Sequence, residues 1–170
     1  MLAHVTRPQR IEPGPGQESV WDYPRPPRLD PTDAVVVVRH AGHTVAETTA
    51  AIRVLETSQP PGFYLPASDI DHSVLQRSDT ATVCEWKGLA TYWHLVVPGA
   101  DPVADVAWSY PDPRPGFEAV AGYLAFYPQR VDGCFVDGEQ VEANEGSFYG
   151  GWITSKVVGP FKGGPGTMGW

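Results

Sequence analysis

Cysteine is nearly absent from this chain: Cys84 and Cys134 stand alone, outside any CxxC pair. That excludes a disulfide-stapled scaffold and leaves no structural zinc site to expect. Lysine is as scarce, occurring only at 87, 156 and 162, and the arginines are scattered; with a net charge of −8, no basic stripe is available to hold a phosphate backbone, so nucleic acid is not an expected partner. Long apolar runs are missing too. No stretch approaches the roughly 18 apolar residues of a membrane span, and the opening MLAHVTRPQRIEPGPGQ has no secretory apolar run, so a soluble cytoplasmic protein with reduced thiols is expected.

What the chain has in excess is proline and glycine, 18 of each in 170 residues. Both interrupt helices and favour turns. Six tryptophans, seven tyrosines and six phenylalanines within a 42% hydrophobic composition supply enough apolar surface for one core. The expected class is mainly β, with antiparallel sheets and very little helix.

Residues 1–32 hold seven prolines, ending in WDYPRPPRLDP, and predict an extended polyproline-type arm anchored by Trp21 and Tyr23. From Ala34 the period changes. AVVVVR, a HAGH turn and TVAET predict a hairpin; RVLE and GFYLP predict short strands on either side of QPPG, and ASDI a turn. HSVLQRS predicts a strand stopped by Ser-Asp-Thr. LATYWHLVV alternates, with Tyr92, His94 and Val96 on one face and Thr91, Trp93 and Leu95 on the other. VADVAWSY, AGYLAFY and the Asp-Gly hairpin CFVDGEQV complete about nine strands, the pattern of a sandwich or tent. Residues 146–170 carry eight glycines and five aromatics, and predict a tail docked on the 33–145 domain through Phe148, Tyr149, Trp152, Phe161 and Trp170. GPFKGGPG within it lacks the GK[ST] element of a P-loop.

Four stretches in this order, RVLETSQPPGFYLP (53–66), CEWKGLATYW (84–93), VAWSYPDP (106–113) and AGYLAFYPQRVD (121–132), resemble the DUF427 family across about residues 34–142. The flanking WDYPRPPR and FYGGWIT resemble extensions of its actinobacterial members. The resemblance implies a β-tent (Mss4-like) fold, two antiparallel sheets meeting at a steep angle. The nucleotidyltransferase label sometimes attached to the family implies a triphosphate site, but no Gly-Ser motif followed by paired aspartates is present to hold its magnesium.

Lys87, beside Gly88 at the expected hairpin turn, is the first candidate for site chemistry. A lysine closing over a concave sheet can bind an anion or, once desolvated, act as base or amine nucleophile; the competing use is a solvated turn lysine. Glu56 shares strand parity with Ile52 and Val54, setting a carboxylate on an apolar face, as general acids and bases are placed. Arg53, a candidate ligand-binding residue, has the other parity, and an ordinary salt bridge competes for both charges. Trp108 with Tyr110, and Tyr123 with Tyr127, share faces; with Tyr64, Tyr92 and Trp93 they either line an aromatic cavity or pack as plain core. Cys84 reads as a buried inert thiol and His40 and His43 as exposed turn residues, so neither a metal nor a cofactor is expected.

Two functions compete on these residues. One is a small-molecule-binding β domain whose ligand is unidentified and whose catalytic status is open, with Lys87 and Glu56 among aromatic walls. The other is a protein-interaction module using the Pro-rich arm or the aromatic tail; a homodimer is the assembly considered. A nucleotidyltransferase ranks third. An enclosed polar and aromatic cavity favours the first, an exposed apolar patch the second.

Overall fold

The computed structural model describes residues 7–146 and 148–170; the first six residues of the expected arm lie outside the described residues. Strands take up 42% of the described residues and helical turns 9%, so the protein is mainly β. In chain order the strands are β1 (Glu18–Ser19), β2 (Arg28–Pro31), β3 (Val36–His40), β4 (His43–Thr48), β5 (Ile52–Leu55), β6 (Gly62–Tyr64), β7 (Leu75–Cys84), β8 (Gly88–Leu95), β9 (Val103–Ser109), β10 (Leu124–Phe126), β11 (Gly133–Val136), β12 (Glu139–Gln140), β13 (Glu142–Ala143), β14 (Trp152–Ile153) and β15 (Val157–Val158). Two four-stranded sheets, ordered β10-β9-β8-β7 and β12-β11-β3-β4, and a three-stranded sheet β2-β5-β6 form the body. A backbone bridge between Leu65 and Leu124 extends β6 onto the β10 edge, with N–H to O distances of 2.8 and 2.9 Å.

Local chemistry sets the reversals. Ala41 and Gly42, at φ 50° and 74°, join β3 to β4, and Asp137 and Gly138, at 48° and 82°, join β11 to β12. Two positive-φ residues in a row make the hairpin turn whose twist suits the flanking strands. At 75–84 the chain departs from expectation. Residues His72–Val74 form a 3-10 turn, capped by the Asp71 carboxylate accepting from Ser73 N, and β7 then runs through Ser-Asp-Thr instead of stopping there. It does so by shifting register between Arg77 and Ala81. The Ser78 hydroxyl accepts from Thr80 N, and Thr80 Oγ1 donates to Asp105 on β9, across β8, so residues with turn propensity are absorbed as a bulge.

Alternation along the strands separates two apolar clusters. Phe63, Leu65, Leu95, Leu124 and Phe126 point to the main core, where they meet Val36, Val38 and Trp152. Ile52, Val54, Tyr64, Tyr92, Ala125 and Tyr127 point to the other side and build a second, aromatic cluster. The candidate site lies on that second side.

The flanking segments are woven into this frame. The proline-rich stretch is not a continuous polyproline arm: β2 pairs with β5, and β1 pairs in parallel with β15. Tyr23 is buried and Trp21 donates from Nε1 to Pro160 O at 2.8 Å. In the tail, Trp152 is fully buried, stacks on Phe63 at 4.9 Å and donates to Phe126 O at 2.9 Å. Trp21 and Trp170 touch at 5.8 Å. Phe148, expected among the docking residues, is instead 69% exposed; its neighbours Tyr149 and Gly150 take the inward positions.

Candidate functional site

The turn between β7 and β8 is three residues long, Glu85, Trp86 and Lys87, because Cys84 pairs with Gly88. Gly88 sits at φ 106°, a conformation that side chains rarely adopt, packed beside Arg114. Arg114 holds the turn from outside: its backbone N–H donates to Lys87 O at 3.0 Å and its guanidinium to Glu85 O. So fixed, the turn drops the Lys87 side chain onto the aromatic cluster, where it is only 8% exposed. The ammonium lies over the Tyr110 ring, 5.6 Å from its centroid, within the range of a cation–π contact.

Lys87 and Glu56 line one cavity of about 300 Å³. Glu56 follows β5 on the same side as Val54, and its carboxylate receives Gln59 Nε2 at 3.1 Å and lies 3.5 Å from Arg25 Nε. Tyr64, Tyr92, Trp108, Tyr110 and Tyr127 form the walls. They brace one another: Trp108 Nε1 donates to the Tyr64 hydroxyl at 3.1 Å, its ring meets Tyr127 at 4.6 Å, and the Tyr92 hydroxyl is 2.9 Å from Thr82 Oγ1. The remaining wall is the tail. Gly150 and Gly151 bring backbone against Trp108 and Pro60, so close that a Cβ at either position would collide.

The electrostatics follow from this packing. Burial pulls the Lys87 pKa down, but Tyr64, Cys84 and Glu56 raise it further, and the net direction is up. Lys87 is therefore an ammonium, which makes it a cation for binding and not an amine nucleophile. Burial likewise raises Tyr64, Tyr110 and Tyr127 above the ordinary phenol value, so at neutral pH these phenols are uncharged.

Arg53 stands apart from this group. On the opposite side of β5 it binds Glu18 and Asp30, at 2.6 Å each, as its parity required, and borders a groove of about 710 Å³. That groove is larger, but its buried charge is already paired. Tyr123 packs against the edge of the aromatic cluster without lining the cavity, and Trp93 faces the main core, donating to Ser109 Oγ at 3.2 Å. Cys84 is half-buried at the cavity, not sealed in core; the sealed thiol is Cys134. His40 and His43 are half-buried, and His43 Nε2 lies 2.8 Å from Asp71. Sequence reasoning passed over Arg25, Gly150 and Lys162. Of these only the Gly-Gly between aromatics in FYGGW carried a signal, since paired glycines mark close backbone approach.

The fold and site thus define a mainly β domain with an aromatic cavity closed by its own C-terminal segment. The family model described as a domain of unknown function, DUF427, matches residues 28–137, and the chain belongs to that family. No curated protein matches the chain. The matched segment supplies Glu56, Lys87 and the five aromatic walls; Arg25 and the strap at 148–151 come from outside it.

Proposed function

We propose that this protein is a small-molecule-binding β domain whose ligand occupies the cavity between Lys87 and Glu56. One observation carries the reading: a buried ammonium and a carboxylate converge on a hollow lined by aromatic rings, the arrangement of sites that enclose a ligand's apolar body and orient it by a few polar groups. The same pair of groups, acting on one bound molecule, equips the site for proton transfer, so turnover of any ligand found is the next measurement. Free Cys84 and Cys134 suit a reducing compartment, the cytoplasm.

An interaction module is the second reading, favoured by Phe148 and Met168, exposed by 69% and 78%. Against it, Trp21, Trp152 and Phe161 are spent on contacts within the chain. A nucleotidyltransferase draws less support: among the described residues no three His, Cys, Asp or Glu side chains gather.

A metabolite screen by thermal shift on the full chain tests the proposal, since a ligand at a hundred times its Kd stabilises the fold by about 2.7 kcal/mol. Hits should shift the native protein and fail to shift Lys87→Met. A screen without hits, or hits that shift both proteins alike, would remove this site from consideration.

A further inference from the structure

Lys87 is the odd group in the molecule. The residue is only 8% exposed, yet among the described residues its ammonium makes no hydrogen bond to an oxygen and no ion pair. The Cys84 thiol beside it is a weak acceptor. Arg53, a half-buried guanidinium, binds two carboxylates. A buried cation without an anion at contact distance is costly, and Lys87 carries three N–H donors toward a hollow where a ring face and neutral phenols surround it and Glu56, though on the lining, makes no ion pair with it. Glu56 is close enough to raise the Lys87 pKa but is engaged by Arg25 and Gln59.

We propose that the cavity takes a small, flat, conjugated monocarboxylic acid, with its carboxylate on the Lys87 ammonium and its body stacked among Tyr64, Trp108, Tyr110 and Tyr127. This rests on the ligand-binding reading above and names the class of ligand. Charge favours a monoanion: Lys87 is the one deeply buried ammonium on the lining, while Glu56 and Glu85 there are balanced by half-buried Lys162 and by Arg25 beside Glu56. Size selects a small molecule, because about 300 Å³ holds about ten water-sized groups. Shape selects a flat one. The Trp108 ring is tilted 51° to Tyr127 at 4.6 Å and stands edge-on to Tyr64 at 90°, so ring faces and edges make up much of the contact surface, beside Val54 and Val83. The phenol hydroxyls complete the recognition as neutral donors, and hydrogen bonds from a charged donor to an oxyanion are the strong ones.

The test uses the full chain and tryptophan fluorescence titrations with benzoate, benzamide and inorganic phosphate. Benzoate should bind at least about tenfold tighter than benzamide, the gap expected of one charged hydrogen bond. Lys87→Gln, checked for its urea midpoint, should close that gap by weakening benzoate alone; the comparison in the native protein stands if the variant does not fold. Benzamide equal to benzoate, phosphate tighter than benzoate, or no binding of any probe up to about 10 mM would each overturn the carboxylate inference. The metabolite screen separates the two failures: a neutral or cationic hit lost in Lys87→Met would leave the binding reading standing while the ligand class falls.

Discussion

Gly150 lies against the indole of Trp108, with Tyr127 on its other flank, and has no room for even one added carbon. The tail is thus seated on the aromatic cluster through backbone, and the cavity wall depends on a residue outside the family segment. Gly150→Ala should cost about 1–3 kcal/mol, as overpacking does, and should weaken any cavity ligand. Urea unfolding measures the first effect. A variant as stable as the native chain would mean that the strap lifts freely off Trp108.

Lys87→Met tests the opposite property. Replacing an unpaired buried ammonium by an apolar side chain of similar length should leave stability unchanged or raise it by about 1 kcal/mol, because the cost of desolvating the charge disappears. Ligand binding should be lost. A destabilisation above about 2 kcal/mol by chemical unfolding would identify Lys87 as a structural residue instead.

Trp152 is fully buried, stacked on Phe63 and hydrogen-bonded to Phe126 O. Trp152→Ala should cost about 3–5 kcal/mol from cavity formation, with the orphaned carbonyl adding to it. A loss below about 1 kcal/mol in urea would show that the tail contributes little to the main core.

The Arg53 cluster contributes to acid stability. Its hydrogen bonds hold Glu18 below the ordinary carboxylate value of 4.5, against burial, which raises it. A carboxylate depressed in the folded state stabilises the fold above its unfolded pKa and loses that contribution as pH falls through its folded one. Melting temperature should therefore drop between about pH 5 and pH 3 by less in Glu18→Gln than in the native chain. The difference should be modest, since Glu18 is 40% exposed and solvent screens the pair. Parallel curves for the two proteins would rule out this linkage. Ligand binding should be indifferent to Glu18→Gln, because the cluster lies across β5 from the cavity.

Ser58 is fully buried at φ 71°, and its hydroxyl has no partner among the described residues. Ser58→Gly should raise stability by about 1 kcal/mol: it removes an unsatisfied hydroxyl and relieves a left-handed conformation, offset in part by the greater freedom of glycine in the unfolded chain. A lower melting temperature for the glycine variant would contradict this.

Much of the site could be placed by parity. Strand alternation sets Glu56 with Val54, Tyr92 against Leu95, and Arg53 on the far side of β5, because a strand's side chains alternate whatever its neighbours are. Turn chemistry is as local: Ala-Gly and Asp-Gly reverse the chain where their positive φ values allow, and Gly88 closes the Lys87 turn. The strand 75–84 departs from local propensity for a reason equally physical. Ser78 and Thr80 have turn propensity, but pairing with β8 and the hydrogen bond to Asp105 outweighed it, as tertiary contacts commonly outweigh a weak local preference.

Composition and periodicity determined, by themselves, that this chain is mainly β, because abundant proline and glycine exclude long helices and alternating aromatics demand two-faced strands. They could not bring Glu56 to Lys87. Those residues lie on different sheets, and their meeting depends on the Leu65–Leu124 bridge that joins β6 to β10, on the β7–β8 turn folding inward, and on the Gly150 strap closing the wall. Each is a pairing between distant segments, whose energy comes from surfaces that exist only once both partners are folded. Sequence pattern records which face a side chain takes; the assembled sheets decide what it faces.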